Sequence, residues 1–428
     1  MTTIENCSLS RRQVSYNWLK SNLAFLLILS ALILFTSKSL YNIPIGIMSL
    51  IGLFRFIKSP TLIWSTPVVR AFTILFLCLW LPLLISFIDA VNYQRSAQTV
   101  FPYLRFLFAG LFVIQEIDKP HTLNKLKLAI FCIIAFWCID AVIEFLFKTD
   151  LFGNPYRPGT ISGIFYPEIT AGHVTAALSP LYFESIRAHS KQHKWLWLLL
   201  IPLFMVILLS ARRAAWIMLA VSCSGYVLYL LKRSHYDKTL VKKLCMLAAV
   251  IIASMSLVVA AHKPLQARIQ VTIGLFSGDY QAIDKATATR LPIWRTAINI
   301  FQDNWINGIG PRGFRFVYQD YSNADNPFFK NGQTHPHQLL LEVLAETGMI
   351  GLLGLLLFTL VFIRFLLQQD LVMALWPWWL SVVTAVFPIN THMAFYGSYW
   401  SSIFWWLLIL TFTAASICIK NNCRQTAS

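Results

Sequence analysis

Apolar runs long enough to cross a bilayer recur along nearly the whole chain, and the longest interruption lies between residues 262 and 336. A helix needs about 17 to 25 mostly apolar residues to traverse the roughly 30 Å hydrocarbon slab, and about twelve segments meet that requirement. They fall near 18–37, 41–57, 70–89, 98–115, 126–147, 168–187, 195–211, 213–231, 243–261, 339–366, 370–388 and 397–418. With 57% of its 428 residues hydrophobic and 12% charged, the chain cannot hide this surface in one water-soluble core. The expected fold class is therefore all-α, a polytopic membrane protein with about 12 transmembrane helices and one large loop. Helices 1 to 9 would occupy 1–261, the loop 262–336, and helices 10 to 12 the remainder, 337–428.

Cytoplasmic loops collect lysine and arginine, so their distribution orients the chain. With the N-terminus in the cytoplasm, that side receives twenty such residues, and the opposite short loops hold only Lys38, Arg95, Lys148, Arg157, Arg212 and Arg213. Both termini are thus expected in the cytoplasm. The net charge of +17 follows from this topology, and no basic soluble domain is present that would bind nucleic acid. No small-residue cleavage site follows the first span, which reads as a retained helix. The eight cysteines are scattered through spans and cytoplasmic ends without metal-type spacing.

The loop 262–336 falls outside the cytoplasm and is the only soluble-like region. Its ATATRLPIWRTAINIF stretch sets Ile293, Trp294, Ile298 and Phe301 at helical spacing, an amphipathic pattern. NGIGPRGFRF then reads as a glycine and proline turn. Eight lysines and arginines face five aspartates here. That excess fits either a solvated basic surface or arginines that meet an anionic substrate.

Residues 334–348, THPHQLLLEVLAETG, place ionisable groups at the mouth of the tenth span. Proline is tolerated in the first helical turn, so the order Thr334, His335, Pro336, His337 predicts Thr334 as N-cap and His337 in the first turn. A helix N-terminus favours anions and disfavours an added positive charge, which leaves a nearby imidazole able to accept a proton. At about 100° per residue, Glu342 lies about 140° and Glu346 about 180° from His337, so neither orients it within the helix. One H-x-H supplies two ligands where a zinc site needs three or four, with His392 in another loop as the nearest spare. Ordinary polar contacts at a helix end are the plain alternative for both histidines.

SARRAAWIML puts Arg212 and Arg213 at the predicted outer end of the eighth span, where they would either anchor the interface or serve a function. The planar guanidinium fork grips phosphate oxygens in pairs. Arginines here and in TATRLPIWR, with a histidine near the same face, would suit a lipid pyrophosphate.

Taken together, SARRAAW, TRLPIW, NGIGPRGF and HPHQLLLEVLAETGMIGLLG resemble, in order and spacing, the O-antigen ligase and polymerase superfamily. Within it the chain is most similar to lipopolysaccharide O-antigen ligases, and the specific resemblance covers roughly residues 205–355. It implies a GT-C-like membrane glycosyltransferase of the Gram-negative inner membrane that needs neither metal nor cofactor. Such enzymes take a glycan from undecaprenyl pyrophosphate and join it to a sugar hydroxyl of lipid A-core on the periplasmic side. By position, the resemblance gives Arg213 and Arg290 to the pyrophosphate and His337 to catalysis, with Arg212 and His335 as neighbours. Gln338 stands where the family often has asparagine. The other readings are a polymerase with a second lipid-linked acceptor and, outside the enzymes, a transporter. Asp140, Glu144 and Arg105 are the intramembrane polar groups a transporter would use.

Overall fold

The computed structural model describes residues 11–387 and 393–426, with side chains over 22–387 and 393–421. The fold is all-helical, at 75% helix and no strand among the described residues. The first nine helices are α1 (Arg11–Leu34), α2 (Asn42–Lys58), α3 (Pro67–Phe87), α4 (Tyr93–Glu116), α5 (Pro120–Phe147), α6 (Ala171–His189), α7 (Leu200–Leu209), α8 (Arg213–Arg233) and α9 (Lys238–Ala261). Four shorter ones follow, α10 (Lys263–Ile273), α11 (Tyr280–Ala286), α12 (Leu291–Asp303) and α13 (Phe314–Tyr321). The chain closes with α14 (Leu339–Gln368), α15 (Trp376–Val386) and α16 (Ser398–Thr426).

Seven of these, α3, α4, α5, α8, α9, α14 and α16, are long and apolar enough to cross a membrane. The remaining apolar runs are also helical but shorter or more polar: α7 has 10 residues and α15 has 11. A hydropathy window counts apolar residues whether or not a turn interrupts them, which is why about twelve runs give fewer full-length helices. The sixth run begins later than its hydropathy, at Ala171, because the residues before it form a loop tied to α5. In that loop Ser162 and Gly163 N–H donate to Glu144 Oε2, and Ile164 N–H donates to Asp140 Oδ2 at 2.7 Å. Both acids therefore serve as acceptors for backbone that has no other partner, as burial requires.

The centre of the bundle is α16. Its Trp405 is fully buried and ringed by Phe72, Phe76, Tyr103, Phe106 and Phe404 at centroid distances of 5.3 to 6.0 Å. Thr411 and Thr413 hydroxyls on α16 donate to carbonyls four residues back, which hides their polarity in the packed interior. α9, with no buried residue, lies at the periphery.

The region from α10 to α13 is joined to the bundle at a break in α14. Gly348 has φ 59° and ψ −156°, a conformation that interrupts the helical ladder. The interruption frees the carbonyls of Ala345 and Glu346 and the N–H groups of Met349 and Ile350, which would otherwise pair with each other. Ile309 and Gly310 N–H donate to those carbonyls at 3.1 and 3.0 Å, and Met349 and Ile350 N–H donate to Trp305 and Ile306 carbonyls at 2.8 and 3.1 Å. Residues 305–310 thus replace the two missing intrahelical bonds. A Cβ at Gly348 would lie 2.4 Å from the Ile306 carbonyl oxygen.

The amphipathic pattern of α12 holds with a rotated face. Ile293, Thr296, Ala297 and Ile300 are buried, whereas Ile298 is exposed. The buried face packs with Phe314, Tyr318, Ala345 and Leu341, so α12 lies along the first turns of α14. Because the chain leaving the C-terminal end of α12 docks at Gly348, the two helices run parallel. Their N-terminal ends lie at the same end of the pair.

Gly348→Ala should destabilise the fold by about 1 to 3 kcal/mol, since this backbone region is open essentially to glycine alone. A lowered unfolding midpoint of the detergent-purified protein checks this. Gly46→Ala, inside α2 where an added Cβ meets nothing within 4 Å, should leave the midpoint unchanged or raise it, since alanine is the better helix former.

Candidate active site

The α7 to α8 corner forms because Ala211 takes a left-handed φ of 54° and Arg212 is extended, so α8 restarts at Arg213. The carbonyls exposed at the end of α7 find partners across the corner. Ile161 N–H donates to Leu209 O at 3.2 Å, Thr160 Oγ1 to Ser210 O at 2.9 Å, and Arg268 Nη1 to Ala211 O at 3.0 Å. Arg213 reaches over the corner, and its Nη1 donates to the carbonyls of Ala286 and, at 3.4 Å, Lys285. One guanidinium edge of Arg213 therefore clamps the end of α11, while its Nε is buried without a hydrogen bond.

Arg290 arrives from the turn between α11 and α12. Ala288 and Thr289 both have left-handed φ, 61° and 55°, and Asp284 holds the turn by accepting from Thr289 N–H at 2.7 Å and Leu291 N–H at 3.2 Å. The result sets Arg290 at the N-cap position of α12. Burial, then the guanidiniums of Arg212 and Arg213, lower Arg290 to about 10. Burial and Arg268 also lower Arg212. The structure thus gathers Arg212, Arg213 and Arg290 from distant stretches into one half-buried cationic group. Like charges held together in a low-dielectric corner oppose one another, and a multivalent anion would relieve them.

His173 of α6 completes the group and was not singled out from the sequence. It is fully buried, within the electrostatic reach of Arg212 and Arg290, with its ring 6.4 Å from Trp400. The one signal that could have marked it is an ionisable side chain in the otherwise apolar AGHVTAALSP.

The start of α14 differs from the sequence expectation. Thr334 is not its N-cap and His337 is not in its first turn. Gln338 is the N-cap, with Oε1 accepting from Leu341 N–H at 2.6 Å, and the helix begins at Leu339. His337 precedes it with φ 59°, the left-handed bend that turns the chain into the helix. A longer amide at Gln338 can reach the first-turn N–H that a threonine further upstream would have capped. The rings of His335 and His337 are tilted by 51° with centroids 4.0 Å apart, and Thr334 Oγ1 is 2.8 Å from His335 Nδ1. Since α12 and α14 run parallel, Arg290 and His337 stand at the same end of the pair.

The two carboxylates after His337 are occupied elsewhere. Glu342 accepts from Phe395 N–H at 2.7 Å and Tyr396 N–H at 3.1 Å, and Glu346 Oε2 accepts from Arg312 N–H at 2.7 Å. Glu168 pairs with Lys38 at 2.7 Å. Among the described residues no group of three or more His, Cys, Asp or Glu side chains is placed to hold a metal ion, and His392 lies outside them.

Residues 198–356 match the family model described as O-Antigen ligase. The match covers rather more than a third of the chain, which over that stretch is similar to O-antigen ligases. The matched segment runs from the end of the turn before α7 into α14 and contains the whole arginine group, both histidines and the Gly348 break. Together with this match, the seven helices long and apolar enough to cross a bilayer are those expected of a membrane protein. A search of curated proteins finds no match to the chain.

Inorganic pyrophosphate should raise the unfolding midpoint of the purified protein, because a ligand that binds only the folded state stabilises it by mass action. Arg290→Gln should shrink that rise while leaving the midpoint without ligand equal or higher, since it removes one member of a self-repelling group. An unchanged pyrophosphate response in Arg290→Gln, read by differential scanning fluorimetry, would contradict the assignment.

Proposed function

We propose that this protein is an O-antigen ligase, transferring a glycan from undecaprenyl pyrophosphate to a sugar hydroxyl of lipid A-core at the periplasmic face of the inner membrane. The observation that carries the reading is the gathering of Arg212, Arg213 and Arg290 at the end of the α12 and α14 pair that also bears His337. The loop 262–336 is then periplasmic, between transmembrane regions 1–261 and 337–428, in a GT-C-like arrangement.

In this mechanism His337 removes the proton from the acceptor hydroxyl as its oxygen attacks the anomeric carbon of the donor. The bond from that carbon to the phosphate oxygen breaks, and undecaprenyl pyrophosphate leaves with the electron pair. Arg290 and Arg212 present N–H groups to the charge growing on the leaving phosphate, and Arg213 adds field while fixing the α11 end that positions Arg290. Attack opposite the leaving group inverts the anomeric centre. The phosphoanhydride-activated donor supplies the driving force, so the step uses neither nucleotide nor metal.

His337→Ala at normal abundance should reduce transfer by about 10²- to 10⁴-fold, the range a positioned general base contributes, with little change in donor affinity. Deleting the gene should remove long glycan from lipid A-core and leave polymerised glycan on its lipid carrier, as seen in gels of lipopolysaccharide and of the lipid-linked pool. Loss of polymerisation with one repeat still attached would instead make it a polymerase.

A further inference from the structure

A second group of arginines lies where α4, α16 and the turn before α13 meet, and the mechanism above makes no use of it. A cavity of about 100 Å3 there is lined by Arg95, Tyr103 and Arg105 of α4, Arg312 of the turn, and Tyr396 and Ser401 beside or in α16. Arg312 is only 7% exposed. Its left-handed φ of 61° is fixed by the bond from its N–H to Glu346, and the side chain is thereby directed into the cavity. Its Nε and Nη1 make no hydrogen bond, and Nη1 forms an ion pair with Glu342 Oε1 at 3.8 Å, beyond hydrogen-bonding range. Glu342 already spends both oxygens on Phe395 and Tyr396.

The neighbouring arginines add to this charge. Arg105 Nη2 donates to Ser398 Oγ at 2.9 Å and Ser402 Oγ at 3.3 Å, while its Nε is buried without a partner. Arg95 holds Gln98 at 3.4 Å and likewise has a buried, unpartnered Nε. Just outside, burial and then Arg312 and Arg95 lower Arg315, with Glu346 acting in the other direction. Three guanidiniums line the cavity, and the two carboxylates near Arg312, Glu342 and Glu346, both accept from backbone N–H groups. A planar donor array of this kind complements a tetrahedral oxyanion.

The surroundings select a lipid as its carrier. The rim residues Gln98, Pro102 and Ser398 are exposed, and Phe101, 52% exposed, lies beside them on a membrane-length helix. An anionic headgroup could enter from there with its apolar part on the outer face of α4. The position also fits an acceptor: Glu342, 3.8 Å from Arg312, lies in the first turn of α14, about 4.5 Å of helical rise from Leu339, and His337 stands two residues before that start. None of these arginines belongs to the Arg212, Arg213 and Arg290 group.

We propose that Arg95, Arg105 and Arg312 form a second anion site, which holds a phosphate group of the acceptor glycolipid while its sugar hydroxyl reaches His337. The identity of the lipid rests on the ligase reading; the anion site rests on the arginine geometry alone.

Binding is tested on the full chain carrying His337→Ala in detergent, titrated with diphosphoryl lipid A, with the same lipid after its phosphates are removed, and with inorganic phosphate. The phosphorylated lipid should bind about ten-fold tighter than the dephosphorylated one, as one charge-assisted contact provides. Arg105→Gln and Arg95→Gln, both less buried than Arg312 and suited to folded variants, should each reduce that preference. Equal binding of the two lipids, or a preference untouched in both variants, overturns the site. Inorganic phosphate binding as tightly as the phosphorylated lipid would make free phosphate the ligand and overturn the lipid assignment. In the active protein, Arg105→Gln should raise the acceptor KM about ten-fold with the donor KM unchanged; a raised donor KM would place the donor there and sink the proposal. Absence of transfer by the unaltered protein would refute the ligase reading, yet the binding comparison would still decide the anion site.

Discussion

The exchange of hydrogen bonds at the Gly348 break is the interaction on which both arginine groups depend. Two carbonyls and two N–H groups of α14 give up their helical partners and take Trp305, Ile306, Ile309 and Gly310 instead. In an apolar interior such groups cannot be left unpaired, so the docked segment has one register. That register lays α12 along α14 and brings Arg290 to the end that bears His337. It also presses the following turn against α3 and α4, where Val91 N–H donates to Ile309 O at 3.0 Å and Ser96 Oγ to Pro311 O at 2.9 Å, and so points Arg312 at Arg95 and Arg105.

The buried acids play a different part from the one acids in spans usually suggest. Intramembrane carboxylates commonly mark a path for ions or protons. Here Asp140 and Glu144 hold the loop before α6, and Glu342 and Glu346 hold the segments before α16 and α13. Each carboxylate accepts from backbone N–H groups of a loop that enters the bundle without a ladder of its own. With the acids committed to structure, the arginines near them remain under-neutralised, which is the electrostatic condition a site for phosphorylated lipids requires.

Such an arrangement works against stability in isolation. Arg212, Arg213 and Arg290 are drawn together by corners that need left-handed residues at Ala211, Ala288 and Thr289. Strained corners and opposed charges persist only where surrounding bonds over-determine them. Here Arg268, Asp284 and Thr160 supply those bonds.

The sequence by itself determined that the chain is helical and membrane-embedded, because twelve apolar runs leave no other way to satisfy backbone and hydrocarbon together. It also marked Arg212, Arg213, Arg290, His335 and His337, through charges placed at span ends and a histidine pair at a helix start. It did not show the cap of α14, since Gln338 rather than Thr334 reaches the first-turn N–H, a matter of side-chain length and local bend. It did not reveal which acids are anchors, because Glu342 and Glu346 find their partners in Phe395, Tyr396 and Arg312, far along the chain. His173, Arg105 and Arg312 gained meaning only in three dimensions. Helical periodicity reports the face a residue occupies, whereas the charges that face it from other helices are decided by tertiary packing around the Gly348 break.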